Sequence, residues 1–191
     1  MGDGVEMRTG PESLKLVMSV LISGRELEGE VLGALELEIG NLDLVSQRLA
    51  FEHTDYYSAE MGPGLLRRMV SFRELVHPGR LVELKLRARA MEDLFRGQEG
   101  NRRVNLDPGL LGHAQLVLAT HKPHAHRIYL DRGVYAELTL IFRQGSFRPL
   151  LWTYPDYASE PLLGWLHRVR ELYLWQRRQL RGKGEGEPCG A

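Results

Sequence analysis

The stretch LKLVMSVLISGRELEGEVLGALELEIG, residues 14–40, decides how the fold begins. Its first nine residues, Leu14 to Ile22, form a short apolar run rich in β-forming side chains, which is typical of a buried strand. Ser23 and Glu26 follow with the spacing of a capping box, which favours the start of a helix. Apolar residues then recur at helical spacing, so the stretch predicts a strand followed by a helix over residues 25–38.

Strands and helices continue to alternate toward the C-terminus. Residues 42–53 and 66–74 predict two further strands, residues 78–96 predict a second helix, and residues 102–107 predict a fourth strand. The resulting order, β-α-β-β-α-β, is that of the ferredoxin-like split-βαβ arrangement. We therefore predict an α+β fold with a largely antiparallel sheet and both helices on one face.

An extension follows this core. A β-meander is expected over residues 114–120, 126–130, 134–142 and 146–152. Ser159 is well placed to cap a final helix. We expect one domain over residues 13–181, with a disordered N-terminus at 1–12 and a flexible tail at 182–191.

The composition is that of an ordinary globular protein, with 191 residues, 43% hydrophobic and 26% charged. Lys plus Arg and Asp plus Glu are both 25, so the net charge of zero does not favour a nucleic-acid or membrane partner. The single cysteine, Cys189, excludes a disulfide within the chain and a zinc site with several thiolates. No apolar run approaches the roughly 18 residues of a membrane span, and we expect a cytoplasmic protein.

Four stretches of the chain are long and unusual. They are HTDYYSAEMGPGLLRRMVSFREL (53–75), RRVNLDPGLL (102–111), LVLATHKPHAHRIYLDRGVYAELTL (116–140) and WTYPDY (152–157). They resemble the bacterial domain-of-unknown-function family numbered 4416, and the resemblance spans roughly residues 14–165. The resemblance implies no activity, because the family is defined by sequence. Some members carry an automatic GTP-binding label, but this chain lacks the GxxxxGK(S/T) string whose amides and lysine surround phosphates.

The hairpin around residues 131–133 carries the most informative polar side chains. A three-residue loop there places Leu130 opposite Val134 and Arg127 opposite Glu137. One face would then hold Ile128, Leu130, Val134, Ala136, Leu138 and Leu140. Two interpretations of Arg127 and Glu137 stay open. They form an ion pair on a solvated sheet face, contributing about 0.2–1 kcal/mol, or they orient a ligand in a pocket.

A second group of polar residues lies in the predicted fourth strand, where Arg103, Asn105 and Asp107 share one face by parity. Asp107-Pro108-Gly109 is also typical of a turn. From both strands we predict one concave polar surface. Its ligand-binding candidates are Arg103, Asn105, Arg127, Tyr129, Tyr135, Tyr57 and Glu60, and its candidates for a catalytic base are Glu137 and Asp107.

Two aromatic segments and a group of histidines leave further alternatives open. The loop with Tyr57 and Glu60 either binds a small molecule or covers the sheet edge. The segment at 152–157 either binds a small molecule or forms a hinge to the last helix. His121, His124 and His126 suggest a metal, with His126 and Glu137 as weak ligand candidates. Because Pro123 and a predicted loop separate these histidines and no HExxH string occurs, we predict no metal site. We also predict no other cofactor.

The leading functional hypothesis is a domain that binds a small anionic, phosphate- or nucleotide-like molecule, either as a binding protein or as an enzyme, because arginines recognise such groups bidentately. One alternative is an RNA-binding module that stacks bases on sheet aromatics. The zero net charge and the lack of an RNP-like string disfavour nucleic acid. The other alternative is a scaffold protein without a small ligand. The sequence decides neither the oligomeric state nor whether a reaction is catalysed.

Overall fold

The computed structural model of the chain describes residues 10–51, 58–62 and 64–184. Tyr57, Cys189 and most of the predicted disordered termini lie outside these residues. The strands are β1 (Leu14–Ile22), β2 (Leu42–Val45), β3 (Leu49–Ala50), β4 (Leu66–Val76), β5 (Val104–Leu111), β6 (Gln115–Thr120), β7 (Arg127–Asp131), β8 (Val134–Arg143) and β9 (Ser146–Pro149). The helices are α1 (Glu28–Glu38), α2 (Ser58–Met61), α3 (Leu81–Leu94) and α4 (Glu160–Gly184).

The strands of the described residues form one nine-stranded antiparallel sheet. Its order is β2-β4-β1-β5-β6-β8-β7, while β3 pairs with β4 and β9 pairs with β8. β1 lies between β4 and β5 and is antiparallel to both. The predicted α+β class and the antiparallel sheet are therefore confirmed.

The helices cover both faces of the sheet. Side chains of α1 and α3 pack with Leu16, Met18 and Val20 of β1 in one apolar cluster. Trp165 and other residues of α4 pack with Val17 on the opposite face. β1 is covered on both sides, which explains why it is a continuous apolar run rather than an alternating one. The prediction that the two earlier helices share one face is confirmed.

Two local predictions were wrong. The predicted capping box does not form: the helical segment after β1 begins with Gly24 at the N-cap position and without a side-chain cap, and Glu26 pairs with Arg103 at 2.6 Å. Asp107-Pro108-Gly109 is not a turn but part of β5. Proline has no N–H to donate to a neighbouring strand. Pro108 is tolerated in β5 because β5 pairs with β6 only from Gly109 onward, so no hydrogen bond to β6 is lost at position 108.

The hairpin register was predicted correctly but its loop was not. Arg127 pairs with Glu137 and Tyr129 with Tyr135. The turn has two residues, Arg132 and Gly133, with φ of 46° and 74°, as a type I′ turn requires. The register shifts after Tyr129, so Asp131 rather than Leu130 pairs with Val134. The predicted apolar face is also uncovered along β7, since Ile128 is 72% exposed on this edge strand.

None of the described helices is both long and apolar enough to cross a membrane.

Candidate functional site

A cavity of about 590 Å³ lies where β5 and β6 separate. The two strands pair only from Gly109 to Leu111 on β5. Beyond that segment, Asp107 and Thr120 line the cavity from the two strands. The peptide group of Leu106 bonds to α3 instead of to a strand: its N–H donates to Glu92 Oε1 at 2.8 Å, and its carbonyl accepts from Lys85 Nζ at 2.9 Å. Side chains of α3 thus satisfy the backbone where the sheet opens.

Charged side chains dominate the lining among the described residues. Six are basic, namely Arg67, Lys85, Arg89, Arg102, Lys122 and Arg127. Four are acidic, namely Glu92, Asp107, Glu137 and Asp156. Basic groups therefore outnumber carboxylates, and low-dielectric walls strengthen the resulting positive potential. The cavity is suited to an anion.

A chain of hydrogen bonds runs along one wall. Lys85 Nζ donates to Asp107 Oδ1 at 2.7 Å, Asn105 Nδ2 donates to Asp107 Oδ2 at 2.6 Å, and Arg102 Nη1 donates to Asn105 Oδ1 at 2.9 Å. Burial raises the pKa of Asp107, but the Lys85 ammonium, the Asn105 amide and the charge of Arg67 together hold it below its usual value. Asp107 is therefore ionised at neutral pH and fixed in position.

The pair formed by Arg127 and Glu137 lies on a second wall. Arg127 Nε donates to Glu137 Oε2 at 2.7 Å, and the side chains are only 8% and 4% exposed. Burial would lower the pKa of Arg127, but its hydrogen bond to Glu137 and the charge of that carboxylate raise it. Because both side chains are buried and line the cavity beside Tyr154, the interpretation as a solvated surface pair was wrong.

Arg67 of β4 and Asp156 form a buried ion pair at a third position. The Arg67 guanidinium lies over the rings of Phe51 and Tyr157, at 4.6 and 5.2 Å from their centroids. Burial raises the pKa of Tyr157 well above its usual value, so its hydroxyl stays protonated. The 152–157 segment therefore both lines the cavity and leads into α4.

The structure brings together part of the predicted site. Asn105, Asp107, Arg127 and Glu137 line the cavity. Glu60 does not line the cavity. Its Oε2 lies 2.6 Å from Nη2 of Arg102, which does line the cavity.

Three predicted residues do not line the cavity, which corrects the expectation of one shared surface. Arg103, which directly precedes β5, is paired with Glu26 and does not line the cavity. Tyr129 and Tyr135 contact each other edge to face, at 5.4 Å between centroids, close to the hairpin turn. Parity selects a sheet face correctly, but it does not specify how far along the strand the cavity extends. Tyr57 lies outside the described residues.

Sequence reasoning did not assign Arg67, Lys85 or Glu92 to the small-molecule site, and it included Asp156 only as part of the 152–157 segment. A signal existed for the two α3 residues. Lys85 and Glu92 follow the apolar positions Leu84 and Met91 by one residue and are seven apart, so they share the buried side of the helix. A buried lysine and a buried glutamate on one helical face indicate polar partners nearby.

Two of the predicted histidines, His124 and His126, lie beside the ion pair of Arg127 and Glu137. His126 Nε2 lies 3.1 Å from Glu137 Oε2, and its ring stacks on Trp152 with centroids 5.0 Å apart. His124 Nδ1 lies 2.8 Å from His126 Nδ1. Across residues 10–51, 58–62 and 64–184, no three His, Cys, Asp or Glu side chains are grouped to hold a metal ion.

Comparison with known proteins locates the chain in a family. No curated protein and no solved structure matches it. The family model described as "Domain of unknown function (DUF4416)" matches residues 12–173. Among the described residues, the match contains the nine strands and the side chains that line the cavity. The chain therefore belongs to the DUF4416 family.

Proposed function

We propose that the cavity where β5 and β6 separate binds a small anionic molecule. The observation that carries the proposal is the excess of basic over acidic side chains among the described lining residues. Phosphate esters, nucleotides and carboxylates are the anion classes that arginine recognises bidentately. The cavity volume of about 590 Å³ lies within the range of small-molecule sites.

Preorganisation of the basic side chains supports this function. Arg67, Lys85 and Arg127 are each held by a carboxylate before any ligand arrives. Fixed side chains lose little conformational entropy on binding, which favours affinity. Phe51 and Tyr157 add aromatic surface beside the charges, which suits the apolar part of an organic anion.

For Asp107, a role in binding is favoured over a role as a catalytic base. An efficient general base has a pKa near the working pH, whereas the pKa of Asp107 lies below its usual value because Lys85, Asn105 and Arg67 outweigh the effect of burial. We therefore assign Asp107 an orienting role toward the ligand.

The alternatives have less support. RNA-binding sheets of this kind stack bases on an open face, but α1 and α3 cover one face and α4 covers the other. A scaffold role would use the outer surface of α4. Of the two tryptophans on that helix, Trp165 is buried and Trp175 is 51% exposed.

The strand order of the core supports a finer assignment of the fold. β2-β4-β1-β5, with α1 and α3 on one face, matches the ferredoxin-like split-βαβ arrangement, which we retain as a proposal. A cytoplasmic location, expected from the single cysteine, stays a prediction.

A thermal-shift screen of nucleotides, sugar phosphates and small carboxylates tests the binding function. A compound at 100 times its Kd stabilises the native state by about 2.7 kcal/mol, which corresponds to a rise in Tm of roughly 5–11 °C for a chain of this size. Arg89→Ala should reduce the shift, because Arg89 lines the cavity and is 45% exposed. Arg103→Ala is the matched control outside the cavity and should retain it. No shift with any class, or equal shifts in both variants, would contradict the proposal.

A further inference from the structure

Arg67 is held in one position inside the cavity. The residue is 7% exposed, its Nη1 bonds to Asp156, and its guanidinium lies against the rings of Phe51 and Tyr157. These contacts leave the guanidinium little freedom to turn. Its remaining donors therefore have a fixed direction.

One of these donors has no acceptor. Arg67 Nε is buried and has no hydrogen-bond partner among the described residues. A buried donor on a charged group is unfavourable unless something accepts its hydrogen bond. Arg67 also lines the cavity, so a molecule bound there is the candidate source of that acceptor.

The edge of the guanidinium that contains Nε specifies the shape of that molecule. Nη1 is taken by Asp156, and the opposite side carries Nε–H and Nη2–H, which point in parallel. Two parallel N–H groups match two oxygens of a carboxylate or a phosphate.

The surrounding charges favour the carboxylate. Asp156 already balances the charge of Arg67, and the charges of Asp107 and Arg67 also interact. A phosphate monoester near neutral pH carries about −1.5 to −2 charges, so two neighbouring carboxylates would repel it more strongly than a single-charged group. Phe51 and Tyr157 provide the apolar surface that the rest of an organic acid requires.

We propose that Arg67 binds the carboxylate of a small organic acid side-on through Nε and Nη2, in preference to a phosphate dianion. This inference rests on the proposed function and narrows its ligand class.

Two probes that share a phenyl ring, benzoate and phenyl phosphate, test the preference. Each is titrated into the full chain while ¹H–¹⁵N NMR follows the arginine Nε–H signals, and Arg67→Lys identifies the Arg67 signal by its loss. Benzoate should shift this signal, and phenyl phosphate should bind at least about tenfold more weakly. Arg67→Lys keeps the charge but loses the parallel donors, so its affinity for benzoate should fall by about tenfold or more.

Two further variants complete the test. Arg68→Lys is the matched control on the same strand, because Arg68 pairs with Glu28 and does not line the cavity; it should bind benzoate like the parent. Asp156→Asn removes the neighbouring carboxylate and should raise the affinity for phenyl phosphate relative to benzoate.

The outcomes separate this inference from the proposed function. If a probe shifts other cavity signals but not that of Arg67, or if phenyl phosphate binds Arg67 more tightly, the inference is overturned while anion binding stands. If neither probe shifts any cavity signal and the thermal-shift screen gives no stabilising compound, both are overturned.

Discussion

Replacing Arg127 by methionine should destabilise the protein by about 3 kcal/mol. The substitution keeps much of the side-chain volume but leaves the Glu137 carboxylate, 4% exposed, without its cation. Breaking a buried ion pair by removing one partner costs about 3–5 kcal/mol. We expect the lower end, because His126 Nε2 lies 3.1 Å from the same oxygen and the cavity admits water. At about 2–4 °C per kcal/mol, the Tm should fall by roughly 6–12 °C.

The assay is urea unfolding followed by tryptophan fluorescence, to which Trp165, 1% exposed in the folded protein, contributes together with Trp152 and Trp175. Arg132→Ala is the matched control on the same hairpin: Arg132 Nε lies 3.2 Å from Asp131, but the side chains are 58% and 64% exposed. This control should change the free energy of unfolding by less than about 0.5–1 kcal/mol. Glu137→Gln combined with Arg127→Met should recover most of the loss, because no unpaired charge is left. Equal effects of Arg127→Met and Arg132→Ala would refute the reasoning.

Three more predictions concern single positions. Asp107→Asn should reduce the free energy of unfolding at neutral pH but not in acid. Folding lowers the pKa of Asp107 below its usual 3.8, so the ionised carboxylate stabilises the folded state above pH 3.8. This stabilisation is lost as the pH falls through the pKa of the folded protein. Urea titrations at several pH values check this, and a constant difference would contradict it. NMR titration of Glu12 should give a pKa of about 2, because Arg177 and Arg181 donate hydrogen bonds to it; an unchanged value after Arg177→Ala would count against this cause. Gly109→Ala should lower the free energy of unfolding by about 1–3 kcal/mol, because the added Cβ would lie 2.6 Å from a leucine methyl of β6. Gly33→Ala should raise it by about 0.5–1 kcal/mol, because nothing lies within 4 Å of the added Cβ in α1. Calorimetry that finds the Gly33 variant less stable than the Gly109 variant would contradict the packing argument.

Much of the candidate site followed from strand parity. Asn105 and Asp107 were placed on one face because Val104 and Leu106 are apolar, and both line the cavity. The hairpin pattern likewise predicted that Arg127 lies opposite Glu137. These inferences depend on neighbours within about ten residues, where alternation and turn geometry constrain the chain.

The sequence by itself determined the apolar strand at Leu14–Ile22, the two early helices and the hairpin register, because each depends on the spacing of side chains along a short segment. Only the tertiary structure decided that β5 and β6 separate and that α3 and the 152–157 segment supply the missing partners. Arg67 and Asp156 are 89 residues apart, and their contact exists only because β4 and the chain entering α4 meet over the same sheet face. The spacing of side chains along the sequence cannot predict such a contact. The separation of β5 and β6, and the charged side chains that line the cavity between them, depend on how distant segments of the chain pack.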